Sequence, residues 1–191
     1  MNHPLPPETV DHPMAPGERL PKSERTEFSA EAVAEIQAIA AKYPDKLAAT
    51  LPALHIAQRD FGFVSLAAMK AVAKALAIPE GHVFGVASFY SLYKKHPVGK
   101  FHIQVCTNLP CALNGGAQLL EKVCAKTGAK PGSGPSKDGL WSIEEVECLA
   151  SCGSAPCLQV NADVYEEFVD EPKLDEIMEA CKRGEVRPWA Q

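Results

Sequence analysis

Four cysteines arranged as two tight pairs constrain this chain more than any other feature. VCTNLPC places Cys106 and Cys111 as C-x4-C, and ECLASC places Cys148 and Cys152 as C-x3-C. Thirty-six residues lie between the pairs, so a fold that uses all four brings two distant loops to one place. Each pair follows a segment that reads as a strand, and short loops leaving strand ends aim two sulfurs at a common centre from either side. There are seven cysteines in 191 residues. That odd number, with no export signal, fits reduced thiols or metal ligands better than a disulfide framework.

Four thiolates split two and two suit a single two-iron cluster. The C-x4-C opening is shared with plant-type ferredoxins, whose next cysteine follows after two more residues, but position 114 is Asn. The C-x2-C-x2-C run of bacterial ferredoxins is missing as well. On spacing alone a four-cysteine zinc site stays open, and it would give a colourless protein. A redox disulfide fits poorly, because no C-x-x-C occurs. After Cys148, the residues Gly153, Ala155 and Pro156 point to a loop whose N–H groups face the sulfurs. Such bonds, with burial and charge, set a potential within the roughly -700 to +450 mV that these clusters span.

Three cysteines stand outside the two pairs. Cys157 lies five residues past Cys152 and is close enough in sequence to replace a ligand. It follows Pro156 at the start of an apolar strand, which favours a packed small hydrophobe. Cys124 and Cys181 sit in helix patterns beside apolar neighbours and read as buried structural thiols.

The organisation is a tail and two domains. Residues 1–25 are rich in Pro and polar residues without a period and read as a mobile tail. Over 26–90 the apolar period is helical. Ser29 caps a first helix carrying Val33, Ile36, Ala40 and Tyr43, and a second runs from about Lys46 to Asp60 with Leu47, Leu51, Leu54 and Ile56, closed by Gly62. Ser65 opens a third with Leu66, Met69, Val72, Ala73 and Leu76, and Pro79 starts a fourth. Over 91–191 the texture changes. Phe101, Ile103 and Val105 alternate with His102 and Gln104 in a strand leading into Cys106, which turns His102 away from Phe101 and Ile103, to face a partner. A helix is expected from Asn114 to Lys126, a strand from Trp141 to Glu147, a hairpin about Asn161-Ala162-Asp163, and a closing helix from Pro172. The order β-α-β-β-β-α is compatible with a small thioredoxin-like α/β sheet. Ala155-Pro156 precedes a strand where such folds keep a cis proline, and the sequence leaves both isomers open.

Composition narrows the function classes. A net charge of -5 argues against a counterion-release mode on nucleic acid and offers no polybasic tract for anionic membranes. Apolar stretches break well short of the roughly 20 residues that a bilayer span needs, so no direct membrane insertion is expected. The N-terminus has no apolar signal region, which fits a bacterial cytoplasmic protein or an already processed one. No acid-base or nucleophilic constellation is present, and the acidic group Glu144, Glu145 and Glu147 reads as a solvated strand edge. GSGPSKDG over 132–139 lacks the third glycine of a dinucleotide fingerprint and precedes a strand, so it reads as a surface loop.

At its cysteine motifs the chain resembles the thioredoxin-like [2Fe-2S] subunit of respiratory NADH:quinone oxidoreductase, complex I. The resemblance is carried by VCTNLPCALNGG, VECLASCGSAPCLQVNADVYEEF, PKLDEIMEACKRGE and, upstream, GHVFGVASFYSLY. It implies an α+β chain, with an N-terminal small helical bundle followed by a thioredoxin-like α/β [2Fe-2S] ferredoxin domain. It implies that Cys106, Cys111, Cys148 and Cys152 hold one [2Fe-2S] cluster. NADH and FMN then belong to a partner subunit, with further iron-sulfur subunits beyond it. NADH gives up a two-electron hydride whereas the cluster takes one electron at a time, so the partner's flavin splits the pair. The cluster would be a temporary store beside that flavin, on the cytoplasmic side of the inner membrane. Related subunits serve NAD-linked hydrogenases and formate dehydrogenases, so fold and ligands transfer more safely than the parent complex.

Overall fold

The computed structural model describes residues 25–189; all but the last residue of the expected tail over 1–25 lies outside them. The chain divides into two compact units between His96 and Pro97.

The first unit is helical. Ser29, in extended backbone, accepts from the Ala32 amide at 3.2 Å and starts α1 (Ala30–Ala40). Its own N–H and hydroxyl both donate to Asp60, at 2.9 and 3.0 Å, which ties the start of α1 to the end of α2 (Thr50–Phe61). A 3-10 turn over Lys46–Ala49 leads into α2, and Pro52 falls in its first turn, where no N–H is needed. Gly62, at φ 88°, ends it. Ser65 caps α3 (Leu66–Leu76), and Pro79 precedes α4 (Glu80–Phe89).

The core of this unit holds Ile36, Leu54, Phe61, Val72, Leu76 and Val83. Val33, Tyr43, Leu47, Leu51 and Leu66, grouped with it by period, are instead exposed. The buried stripes run through alanines (Ala32, Ala53, Ala57, Ala68), which let the helices approach closely. The unit continues past Tyr90. Tyr93 is buried in the helical core and donates to the Leu51 carbonyl at 2.9 Å, while Gln58 accepts from the Lys94 amide at 2.7 Å.

The second unit contains a four-stranded sheet in the order β2-β1-β3-β4. Strand β1 (Phe101–Cys106) pairs in parallel with β2 (Trp141–Val146), from Phe101 opposite Trp141 to Cys106 opposite Val146. Strand β3 (Leu158–Val160) runs antiparallel to β1, and β4 (Val164–Glu166) antiparallel to β3. The β3-β4 turn places Asn161 and Ala162 at φ 54° and 62°, the left-handed pair that a tight hairpin uses.

The β1-β2 crossover has two helices. The first, α5 (Leu109–Leu113), was not expected, and α6 runs over Gly116–Thr127. Asn114 ends α5 instead of starting α6, and Gly115 at φ 91° separates them. Helix α7 (Glu171–Arg183) follows a cap in which Asp170 accepts from the Lys173 amide at 2.9 Å. Its Leu174, Ile177, Met178 and Cys181 recur at helical spacing and are buried with Phe101, Ile103, Val105 and the α6 residues Leu119 and Val123. Each large side chain in that layer contributes about 1.5–3 kcal/mol. The Ala155-Pro156 peptide is cis.

Two sequence expectations fail along β1 and β2. His102 does not face outward: it is 4% exposed, with Nδ1 2.8 Å from Ser142 Oγ and Nε2 3.0 Å from Glu144. Nor is the acidic group only a solvated edge. Glu144 also accepts from Gln104 at 2.8 Å, Glu145 from the Thr107 hydroxyl at 2.7 Å, and Glu147 from the Asn108 side chain, whose Nδ2 donates at 2.5 Å. These carboxylates fasten β2 and its exit to β1 and its exit.

Candidate metal centre

Parallel pairing positions the cysteines. Because β1 and β2 run side by side in one direction, both loops leave from the same end of the sheet. Cys106 is the last residue of β1, and Cys148 lies two residues past its β2 counterpart, Val146. The chain then turns into α5, which holds Cys111, so this thiol is fixed by a short helix and not by a loop. Cys152 begins a 3-10 turn over Cys152–Ser154. The Asn108 and Thr107 bonds to Glu147 and Glu145 join the two cysteine segments directly.

The sulfurs form two groups. Cys106, Cys111 and Cys157 are buried together, their Sγ atoms all within 4.8 Å of one another. Cys148 and Cys152 form an exposed pair with sulfurs 3.5 Å apart. Cys106 and Cys111 are close enough to bias Cys152 electrostatically, so the two groups are neighbours. Leu149 and Ala155 pack against the buried three. The structure thus brings each expected ligand pair together, and it adds Cys157 to the inner pair. Cys157 is fully buried as expected of a packed thiol, but its company is sulfur as well as hydrocarbon: it lies 3.8 Å from Cys111 Sγ. Antiparallel pairing of β3 with β1 puts it there, since the Cys106 amide donates to the Cys157 carbonyl at 3.2 Å.

The surroundings push the thiols in both directions. Burial pushes the Cys106 thiol up, but the N–H groups of Leu149 and Asn108, with the thiols of Cys111 and Cys157, outweigh it, and the net direction is down. Cys111 is pushed up by burial and by Cys106, against a hydrogen bond from the Cys157 amide. Cys152 is pushed up chiefly by its hydrogen bond with Cys148. The Ala150 amide donates to Cys148 Sγ at 3.3 Å. Cys157 is pushed up to about 12, first by burial and then by its bond with Cys111. Thiols that raise one another in this way bind a metal with release of their protons.

The loop carrying Cys148 and Cys152 is held by residues that the sequence did not single out. Tyr165 donates to the Leu149 carbonyl at 2.6 Å, and Glu167 accepts from the hydroxyls of Ser151 and Ser154. Both anchors come from β4 or just beyond it, so the hairpin braces the outer thiols.

The donor set fits a metal-sulfur group. Two thiolates on one tetrahedral metal, with bonds of about 2.3 Å, stand about 3.8 Å apart, close to the 3.5 Å of Cys148 and Cys152. Paired thiols on adjoining parallel-strand exits, with main-chain N–H groups directed at sulfur, define a thiolate-ligated metal protein of thioredoxin-like fold.

The chain belongs to the thioredoxin-like [2Fe-2S] ferredoxins, whose family model matches residues 36–182. Membership decides between iron-sulfur and zinc: the chain carries one [2Fe-2S] cluster. It is 37% identical to a subunit of the NADH-quinone oxidoreductase of Rhizobium meliloti (strain 1021) over 151 residues, 79% of this chain and 89% of the relative. It is 40% identical to an NADH-quinone oxidoreductase subunit of Rickettsia typhi over 146 residues, 75% of this chain and 85% of the relative. Identity to NADH-quinone oxidoreductase subunit 2 of Thermus thermophilus is 38%, over 75% of this chain and 80% of the relative. Among solved structures, it is similar to a chain of an NAD+-reducing [NiFe]-hydrogenase in the air-oxidized state, with a TM-score of 0.59 and 22% identity. That match covers 70% of this chain and 23% of the hydrogenase chain, so the likeness is one of fold and spans about a quarter of the larger protein. Among the described residues, no helix is long and apolar enough to cross a membrane.

Proposed function

We propose that this chain is the electron-transfer subunit of an NADH:quinone oxidoreductase, with Cys106, Cys111, Cys148 and Cys152 holding its cluster. The observation that carries the reading is the meeting of the two thiol pairs at one end of the parallel β1-β2 pair, with N–H donors at Cys106, Cys111 and Cys148. When bound, the cluster takes up and gives back one electron at a time.

The chain's own residues serve that chemistry in three ways. The N–H groups of Leu149, Asn108, Cys157 and Ala150 lower the cost of negative charge on sulfur. Leu149 and Ala155 keep water from the inner pair. The outer pair, Cys148 and Cys152, is exposed and presents the centre to a neighbour. That neighbour is the subunit that binds NADH and FMN, with further iron-sulfur subunits in the same complex, peripheral on the cytoplasmic side of the inner membrane. The relatives named above favour this parent over a hydrogenase or formate dehydrogenase, because they match at 37–40% identity over most of both chains.

The test is anaerobic isolation followed by single substitutions. The wild type should hold two irons and two sulfides per chain and show a reducible two-iron spectrum. Serine at any one of the four positions should remove the cluster or alter its spectrum, whereas Cys124→Ser and Cys181→Ser should leave it intact. A normal spectrum in Cys148→Ser and Cys152→Ser would sink the ligand set. Native co-purification with NADH:quinone reductase activity tests the parent complex, and hydrogenase or formate dehydrogenase activity there would replace it.

A further inference from the structure

The proposed ligands leave one buried sulfur unused. Cys157 is wholly removed from solvent, with its Sγ 3.8 Å from Cys111 Sγ and within 4.8 Å of Cys106 Sγ. Around it are sulfur, the apolar residues Leu149 and Ala155, and one hydroxyl, that of Tyr165 at 3.9 Å.

We propose that the Cys157 thiol donates an S–H···S hydrogen bond to Cys111 and thereby raises the reduction potential of the cluster. The inference rests on the ligand set proposed above. Between two thiols either sulfur can donate. Once Cys111 is a ligand it has no proton, and the direction of the bond is decided. A fifth charge, buried beside four thiolates, is costly, so Cys157 is the member of the group that keeps its hydrogen. Three acceptors surround it, of which Cys106 Sγ, within 4.8 Å, makes no hydrogen bond as short as the 3.8 Å to Cys111 Sγ. Tyr165 Oη is neutral and spends its own proton on the Leu149 carbonyl at 2.6 Å. Cys111 is charged, and charged acceptors make the stronger bond.

The effect on potential follows from charge. Reduction adds one electron to the centre and makes its sulfurs more negative, so a donor at a ligand sulfur favours the reduced state more than the oxidised one. Because Cys157 is fully buried, the bond acts in a low-dielectric setting. No atom is transferred: the proton stays on Cys157 throughout. The main-chain N–H of Cys157 also donates to Cys111, but any residue at position 157 supplies that bond. The side chain is therefore separable from the backbone by substitution.

The experiment uses the full-length, cluster-loaded protein as wild type, Cys157→Val, Cys157→Ala and Cys157→Ser. Iron and sulfide content, the spectrum of the reduced state and the midpoint potential are measured for each. The expected result is full cluster content in all four, a downward shift of the midpoint in the valine and alanine variants, and a midpoint near wild type in the serine variant, which keeps a donor. An unshifted midpoint in a fully loaded valine or alanine variant overturns the hydrogen-bond role and leaves the ligand set standing. Loss of the cluster from both variants, together with its retention in Cys106→Ser or Cys111→Ser, overturns both readings, because Cys157 is then itself a ligand.

Discussion

Gly116 packs directly against the carbonyl oxygen of Cys106: a β-carbon at Gly116 would lie 2.8 Å from that oxygen and 2.9 Å from the Cys111 carbonyl oxygen. Both neighbours are main chain, so neither can swing away. The first turn of α6 is thereby seated on the backbone of the inner thiol pair. Gly116→Ala should cost about 1–3 kcal/mol through overpacking, only partly offset by the better helix propensity of alanine. Urea unfolding of the loaded protein checks this. A stability equal to wild type, with iron fully retained, would show that the helix lifts away freely.

The outer thiol pair depends on a different brace. The Tyr165 hydroxyl donates to the Leu149 carbonyl at 2.6 Å, one residue past Cys148. Tyr165→Phe removes that bond and the longer contact with Cys157 Sγ at 3.9 Å, and the expected loss is about 1 kcal/mol. If opening of this loop limits access of a chelator to iron, release should speed up about fivefold, the equivalent of that energy. Stopped-flow chelation measures the rate, and an unchanged rate would place the limiting step elsewhere.

The helical unit was legible because its boundaries are written in local chemistry: Ser29, Ser65, Pro79 and Gly62 do at the helix ends what their side chains or missing Cβ make them do. Which face each helix buries was less legible. Apolar period alone groups Val33 with Ile36 and Leu51 with Leu54, yet the packed stripes run through alanines, which carry little hydrophobic signal. Helix α5 escaped notice because its five residues are too few to show a period and include Pro110. The pairing of the four proposed ligands was readable from spacing. The arrival of Cys157 beside Cys111 was not, since it follows from β3 pairing antiparallel to β1. His102 misled for a related reason: strand alternation reports which face a residue takes, not whether Ser142 and Glu144 will cover it.

Acid should loosen the outer loop through Glu167. Its carboxyl is held below the ordinary value of 4.5 by hydrogen bonds from Ser151 and Ser154, with Lys173 nearby. A carboxyl whose folded value is depressed contributes stability that is present above the unfolded value and is lost as pH falls through the folded one. The stability difference between wild type and Glu167→Gln should therefore be constant near neutral pH and should shrink as pH drops below 4.5. Unfolding curves across that range test it. A difference that grows on acidification would reverse the sign of the argument.

Thiol chemistry should report the two layers of the centre. Exposure governs the order in which free thiols meet an alkylating reagent, and burial also withholds the reactive thiolate. With the cluster bound, the four proposed ligands are masked by iron, Cys157 and Cys181 are fully buried, and the half-buried Cys124 is the accessible thiol. Cys124 should therefore be labelled first in the loaded protein. After anaerobic removal of iron under reductant, the order should change: Cys148 and Cys152, both exposed, should react fastest, and Cys106 and Cys111, each 2% exposed, much later. Cys181, buried among the α7 and sheet residues and pushed up to about 11 by that burial, should be labelled only when the domain unfolds. Mass spectrometry of timed samples gives the sequence directly. If Cys106 were labelled as quickly as Cys148, the inner pair would owe its burial to the cluster and not to the packing of Leu149, Ala155 and Cys157 around it.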